Sequence, residues 1–288
     1  MGVVVRDLVP AFLEFWAKAV QEPERQLELW DEYVAASPDV LNDAERNGIT
    51  VDPQQVLAGY GGREDLIRAN APRATEWITS AFDLVAPALA AADVELHAVA
   101  MVGLGTSNGW VSVVDGSYTL FLAVEQIADL DGARILAAHE LAHALQLPLP
   151  ERPWPEDGTL GETVYAEGFA TALTLELLPQ YGLAEHLWFG TGYENWLAEA
   201  ERALPEATAG ILAELESAEH DVLRRYLQFI KDGDLPTRIG YLVGTRAVQR
   251  LRETYTWPEL ARWSTTRATD ELRAVLDQKS DQGATRDG

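Results

Sequence analysis

The chain has 288 residues, 47% of them apolar, which is enough for one large domain or two medium ones with a sizeable core. It carries 46 Asp and Glu against 22 Lys and Arg, a formal net charge of -24, and a surface of that sign repels phosphate backbones, so nucleic acid is excluded as the expected partner. There is no Cys, which removes disulfides and thiolate metal sites and leaves His, Asp and Glu as the available metal ligands.

In chain order, the first residues show no basic segment followed by a long apolar run, and the stretch 8–20 is broken by Pro10, Glu14 and Lys18. No signal peptide is expected, and with no run of about 18 apolar residues no membrane span is expected either, so the reading is a cytoplasmic protein. Residues 5 to about 92 read as helices, with Leu8, Phe12, Phe15, Trp16 and Val20, then Leu27, Trp30 and Val34, recurring at helical spacing. Ser37-Pro38 and Asp52-Pro53 look like helix starts, Gly61-Gly62 marks a turn, and a further helix is predicted over about 74–91.

The pattern then changes. Residues 94–102 alternate as a strand, and a Gly-rich loop follows over 103–109. Strands are predicted over 110–114 and 118–124, joined by an Asp115-Gly116 turn. Asp131 is placed to cap a helix over about 132–147, which stops at a Pro-rich loop over 148–158. A helix over about 160–178 is next, and the remainder is mostly helical, with Pro236 and Pro258 opening new helices and a polar, frayed end. Helices, a small strand cluster, then helices make an α+β architecture, predominantly helical. Its lobes are expected at 1–92, 93–180 and 181–276, with a flexible tail at 277–288, packed as one integrated unit.

Residues 139–143 read His-Glu-Leu-Ala-His. Two His four apart on a helix project from one face, one turn apart, and can reach one zinc ion at about 2.0–2.1 Å. Glu140, directly after the first His, can lean over a zinc-activated water as general base. Zinc lowers the pKa of that water towards roughly 7 and polarises a scissile carbonyl. With only five His in the chain, a chance match to this spacing is rare, and the flanking Ile135, Leu136, Ala138, Ala142 and Leu145 are apolar. Ionisable side chains on such a helix are costly without a partner.

A catalytic zinc needs a third protein ligand and an open position. Residues 146–150 offer no third His, and the next helix offers Glu162 and Glu167, which do not share a face. Thr159-Leu-Gly-Glu162 fits a capping box, which gives Glu162 a structural role. Glu167 lies in an apolar stretch beside Gly168, where two helices can approach closely, and is the expected third ligand, with Glu162 the alternative.

Two His on one helix and a Glu on the next resemble the gluzincins. The likeness to the thermolysin group stops at those ligands, because the acidic residue that group has four positions after its ligand Glu is Thr171 here. The order His139 to His143, Glu167-Gly-Phe-Ala170 and Gly240-Tyr-Leu-Val-Gly244 resembles a family of predicted zinc-dependent proteases with HExxH, EGxA and GYxxG elements, over most of the chain. The resemblance implies a zincin-like catalytic core over 93–180 and a zinc metallopeptidase acting on a peptide or protein substrate. An inactive, zinc-stabilised binding module is the alternative, against which Glu140 stands.

Further candidates are Asn108, Gly109 and Trp110, on the strand before the His helix, where extended substrate can pair through main-chain hydrogen bonds; an ordinary hairpin is the competing reading. Tyr241, between Gly240 and Gly244, is placed to donate to the developing oxyanion as gluzincins commonly require, or else is a core aromatic. Tyr165 and His220 are the fallbacks. His97 reads as a satisfied core or edge histidine, and His186 and His220 as surface residues.

Overall fold

A computed structural model describes residues 2–40, 53–103, 107–146, 158–228 and 233–284. The chain divides into two compact units, Met1–Pro87 with Ala91–Ala144, and Ala88–Ala90 with Leu145–Gly288. The described residues are α+β and predominantly helical, with one four-stranded sheet. No described helix is long and apolar enough to cross a membrane.

In the first unit the sheet runs β1 (Val3–Asp7), β2 (Leu96–Met101), β4 (Ser117–Ala123), β3 (Gly109–Val114) from edge to edge. β1 corrects the helical reading of the chain's start. Val3, Val4 and Val5 are β-branched, stiff and suited to a pleated surface, and they pair in parallel with β2 from Val3↔Leu96 to Asp7↔Ala100. β2 and β4 are also parallel, whereas β3 is antiparallel to β4 and forms an edge. The β3–β4 hairpin closes on the expected turn, with φ of 49° at Asp115 and 80° at Gly116, the left-handed pair a two-residue hairpin demands.

Helices α1 (Val9–Gln21), α2 (Gln26–Ala35), α3 (Pro53–Tyr60) and α4 (Glu64–Ala88) belong to the same unit. Asp7 accepts from the Val9 amide and so starts α1 directly off the strand. Phe12, Phe15, Trp16, Trp30, Tyr33 and Tyr60 form one aromatic cluster, with Phe12 and Tyr60 centroids 4.8 Å apart. α4 begins ten residues before the predicted start near 74, and Pro72 lies within it. Its buried Asn70 donates to the carbonyls of Val124 (2.9 Å) and Ile127 (2.7 Å), fastening the 3₁₀ turn Val124–Gln126 that leads from β4 into α5 (Leu130–Gln146). The cap of α5 is Asp129 rather than Asp131: its carboxylate accepts from the amides of Asp131 and Gly132, and Asp131 instead pairs with Arg134.

The second unit contains α6 (Leu160–Leu177), α7 (Leu183–Trp188), α8 (Glu194–Glu214), α9 (His220–Leu227), α10 (Ile239–Arg252), α11 (Trp257–Ala261) and α12 (Thr265–Ala284). Its centre is the crossing of α6 and α10. A Cβ on Gly168 would lie 2.2 Å from the Gly244 carbonyl carbon, and one on Gly244 would lie 2.1 Å from the Val164 oxygen, so the two backbones touch where side chains cannot intervene. α12 runs on to Ala284, past the point where fraying is predicted. Most of the Pro-rich loop over 148–158 and the middle of the Gly-rich loop over 103–109 lie outside the described residues.

Candidate metal centre

α5 carries His139, Glu140 and His143 in its buried C-terminal part. From Ile135 to Gln146 every residue is buried except His143, which is half-buried. A helix with no polar face is a core helix, so its polar side chains occupy the protein interior. His139 is 1% exposed and Glu140 8%. The two imidazoles are edge to face, with centroids 4.8 Å apart and both Nε2 atoms turned to each other at 3.1 Å. Two nitrogens bound to one tetrahedral zinc at about 2.0–2.1 Å stand about 3.3 Å apart, close to that separation.

Among the described residues one group of side chains could hold a metal ion: His139, His143 and Glu167, whose ligand atoms all lie within 4.8 Å of one another. Glu167 is half-buried on α6, one residue before the Gly168–Gly244 contact, so the helix crossing fixes the backbone that carries it. The donor set is two imidazole nitrogens and one carboxylate oxygen, a combination that fits zinc. Glu162 is not in the group. It completes the expected capping box, accepting from the Thr159 amide at 2.9 Å while its own amide donates to the Thr159 hydroxyl at 3.4 Å.

Glu140 lies against β3. A Cβ on Gly109 would be 2.7 Å from Glu140 Cγ, 3.1 Å from Cδ and 3.3 Å from Oε1. Only a glycine at this position lets the carboxylate side chain rest on the strand's backbone. This second reason for Gly109 was hidden in the sequence, where a glycine ending a Gly-rich loop reads as flexibility.

The other strand candidates separate. The Asn108 carbonyl accepts from the Ala123 amide at 2.9 Å, so Asn108 faces β4. Antiparallel pairing alternates, so the main-chain groups of Trp110 and Ser112 also face β4, and those of Gly109, Val111 and Val113 face the outer edge. At that edge the Gly109 carbonyl accepts from the Ser107 hydroxyl at 2.7 Å. The Trp110 ring stacks flat on Phe121 at 4.9 Å. Outward pairing therefore belongs to Gly109 and Val111 rather than to Asn108 and Trp110.

Tyr241 is half-buried in the first turn of α10, three residues before Gly244, and its ring carries the Arg238 guanidinium 4.0 Å from its centroid. Gly240 allows the same turn to meet α9, since a Cβ there would be 2.9 Å from Leu227 Cδ2. Tyr165 is fully buried and donates to the Leu260 carbonyl at 2.8 Å, which makes it a core tyrosine. His220 and His97 are exposed, so His97 is not a core residue, and it lies 3.9 Å from Glu95.

His186 corrects its surface reading. It is 0% exposed, and burial lowers its pKa to about 4. Its Nε2 lies 3.2 Å from the Leu178 carbonyl, which can only accept, so Nε2 carries the proton and Nδ1 faces the Thr174 hydroxyl at 3.0 Å. Its position in a helical stretch beside acidic residues held no sign of this. Thr171, four residues after Glu167, is also fully buried. No family model matches the chain, and neither a curated protein nor a solved structure matches it.

Proposed function

We propose that the protein is a zinc-dependent peptidase with a zincin-like core, in which His139, His143 and Glu167 hold the metal. The observation that carries this reading is the convergence of those three ligand atoms within 4.8 Å of one another beside the buried Glu140. A mixed sheet with an antiparallel edge strand, followed by the helix bearing both histidine ligands, supports the architecture.

A zinc ion held by this set would supply a Lewis acid that polarises a carbonyl and acidifies a water. The remaining chemistry belongs to the chain. Glu140 follows a ligand directly, so its carboxylate reaches the same region without joining the ligand set. It takes the proton of the attacking water and delivers it to the departing amide nitrogen. Its low exposure keeps bulk water from that transfer. Tyr241 offers a phenol O–H to the carbonyl oxygen as negative charge develops there. The outward main-chain groups of Gly109 and Val111 pair with an extended substrate as an added strand. A net charge of -24 favours peptides that carry basic residues.

Incubating zinc-loaded protein with a diverse peptide library, and reading new termini by mass spectrometry, tests the proposal. Cleavage by the wild type that disappears in a Glu140→Gln variant with unchanged zinc content supports it. No cleavage by the loaded wild type, or the same products from Glu140→Gln, overturns it.

A further inference from the structure

In the second unit, two bulky residues adopt the left-handed backbone conformation that L-residues with long side chains avoid. Phe189, at the C-terminal end of α7, has φ 55°, and Arg238, at the N-terminal end of α10, has φ 60°. Such conformations persist where the surroundings over-determine them, and they point to function. Here the two residues meet. The Arg238 guanidinium lies 5.4 Å from the Phe189 ring centroid, 5.4 Å from that of Trp188 and 4.0 Å from that of Tyr241.

The surrounding structure holds this arrangement from both sides. The Arg238 amide donates to the Gln228 carbonyl at 3.2 Å, and its carbonyl accepts from the Tyr241 amide at 3.0 Å. The Trp196 indole donates to the Thr237 carbonyl at 3.0 Å, beside the bend, and Trp188 stacks on Tyr193 at 4.4 Å. Arg238 is only 2% exposed. A cation so enclosed is kept from substrate, and of the three rings beside it that of Tyr241 is the nearest.

A cation over the face of a phenol acts on the hydroxyl in two ways. It fixes the plane of the ring, and it draws electron density from the ring, which makes the O–H a stronger hydrogen-bond donor. Both effects grow as water is excluded.

We propose that Arg238 is a positioning residue that orients the Tyr241 ring and strengthens its hydroxyl as a donor. The proposal rests on the reading of Tyr241 as the oxyanion donor, and two independent measurements separate the failures. The first needs neither metal nor turnover: 3-fluorotyrosine is placed at position 241 of the metal-free full-length chain and its ¹⁹F spectrum recorded. The expected result is one resonance with Arg238, and a shifted resonance, broadened or split by a second ring orientation, in Arg238→Met. An unchanged spectrum overturns the proposal.

The second measurement is a kinetic cycle. Arg238→Met is expected to lower kcat about tenfold, a cation–π-sized effect, with KM within about twofold. The same substitution made in Tyr241→Phe is expected to change nothing more. An equal further loss in that background overturns the proposal. If Tyr241→Phe alone leaves kcat at the wild-type value, the donor reading falls instead, and the ¹⁹F result still decides whether Arg238 holds the ring. Should Arg238→Met fail to give a cooperative melt, Arg238→Lys takes its place in both arms. Lys keeps the charge but loses the planar stack, so a shifted or broadened resonance at position 241 together with a kcat between those of wild type and Tyr241→Phe supports the proposal, and wild-type values of both overturn it.

Discussion

Replacing Gly109 by Ala places a single methyl group against the proposed general base. The added Cβ would stand 2.7 Å from Glu140 Cγ, where carbon atoms in contact prefer about 3.5–4.0 Å. Relief therefore requires a movement of roughly 0.8 Å or more. The helix cannot supply it cheaply, because Leu141, Ala142 and Ala144 around Glu140 are all 0% exposed. β3 is an edge strand and can give a little, but the least resistance is rotation of the Glu140 side chain itself. Overpacking of this kind costs about 1–3 kcal/mol, or about 2–4 °C of Tm for each kcal/mol in chains of this size. Misplacement of a reacting group by about 1 Å costs up to about a hundredfold in rate. Gly109→Ala is thus expected to keep its zinc, lose several degrees of Tm and lower kcat about ten- to a hundredfold, with little further loss when combined with Glu140→Gln. Elemental analysis, a thermal melt and hydrolysis of a cleavable peptide measure the three quantities. Wild-type turnover with unchanged Tm would refute the contact between Gly109 and Glu140 and, with it, the role of the strand in seating the base.

His139→Ala is expected to abolish the binding of about one zinc per chain, measured by elemental analysis; equal zinc in both proteins would remove the site. Glu167→Ala is expected to lose zinc affinity, whereas Glu162→Ala loses only a capping-box contribution of about 0.5–2 kcal/mol and keeps its metal. Exchanged outcomes would exchange the two roles. His186 has its pKa lowered from 6.5 to about 4 by burial, so between those values the unfolded chain binds a proton that the folded chain excludes. Stability from this group is full above pH 6.5 and falls as pH drops towards about 4, by up to about 3 kcal/mol. The Tm of wild type should therefore drop more steeply over that range than the Tm of His186→Gln, and parallel slopes would contradict the assignment.

The elements nearest the centre were the most legible in the sequence. The strand readings over 94–102, 110–114 and 118–124 match β2, β3 and β4 to within two residues, and Asp115-Gly116 specified its turn by backbone conformation alone. The spacing of His139 and His143 placed both imidazoles on one face, and the Thr159–Glu162 box separated one acidic residue from the other by local chemistry. β1 was missed because five residues are too few for a period to emerge, and its pairing with β2 is a contact across more than ninety positions. The early start of α4 was obscured by Pro72, which ordinarily ends a helix. Gly109 and Arg238 were illegible for a common reason. What each does is decided by the side chain that tertiary packing lays against it, Glu140 in one case and the ring of Tyr241 in the other.

Two short sequence elements that looked separate also acquire a common explanation from packing. The Gly of Glu167-Gly-Phe-Ala170 and the last Gly of Gly240-Tyr-Leu-Val-Gly244 are the two sides of a single backbone contact. Neither glycine can gain a side chain without driving α6 and α10 apart. Such a change would displace Glu167, one residue away on α6, and Tyr241, about one turn away on α10. The crossing therefore ties the proposed third ligand and the proposed donor to one rigid element, so their separation is set by helix geometry rather than by a loop. Positions held in this way are suited to a site that must be formed before substrate arrives. α5 makes the same case from the other unit. Apolar side chains at His139 and Glu140 would suit the buried stretch 135–146, since interior imidazole and carboxylate groups lose hydration. The proposed metal ion, and the proton transfer proposed for Glu140 beside it, would account for their presence there.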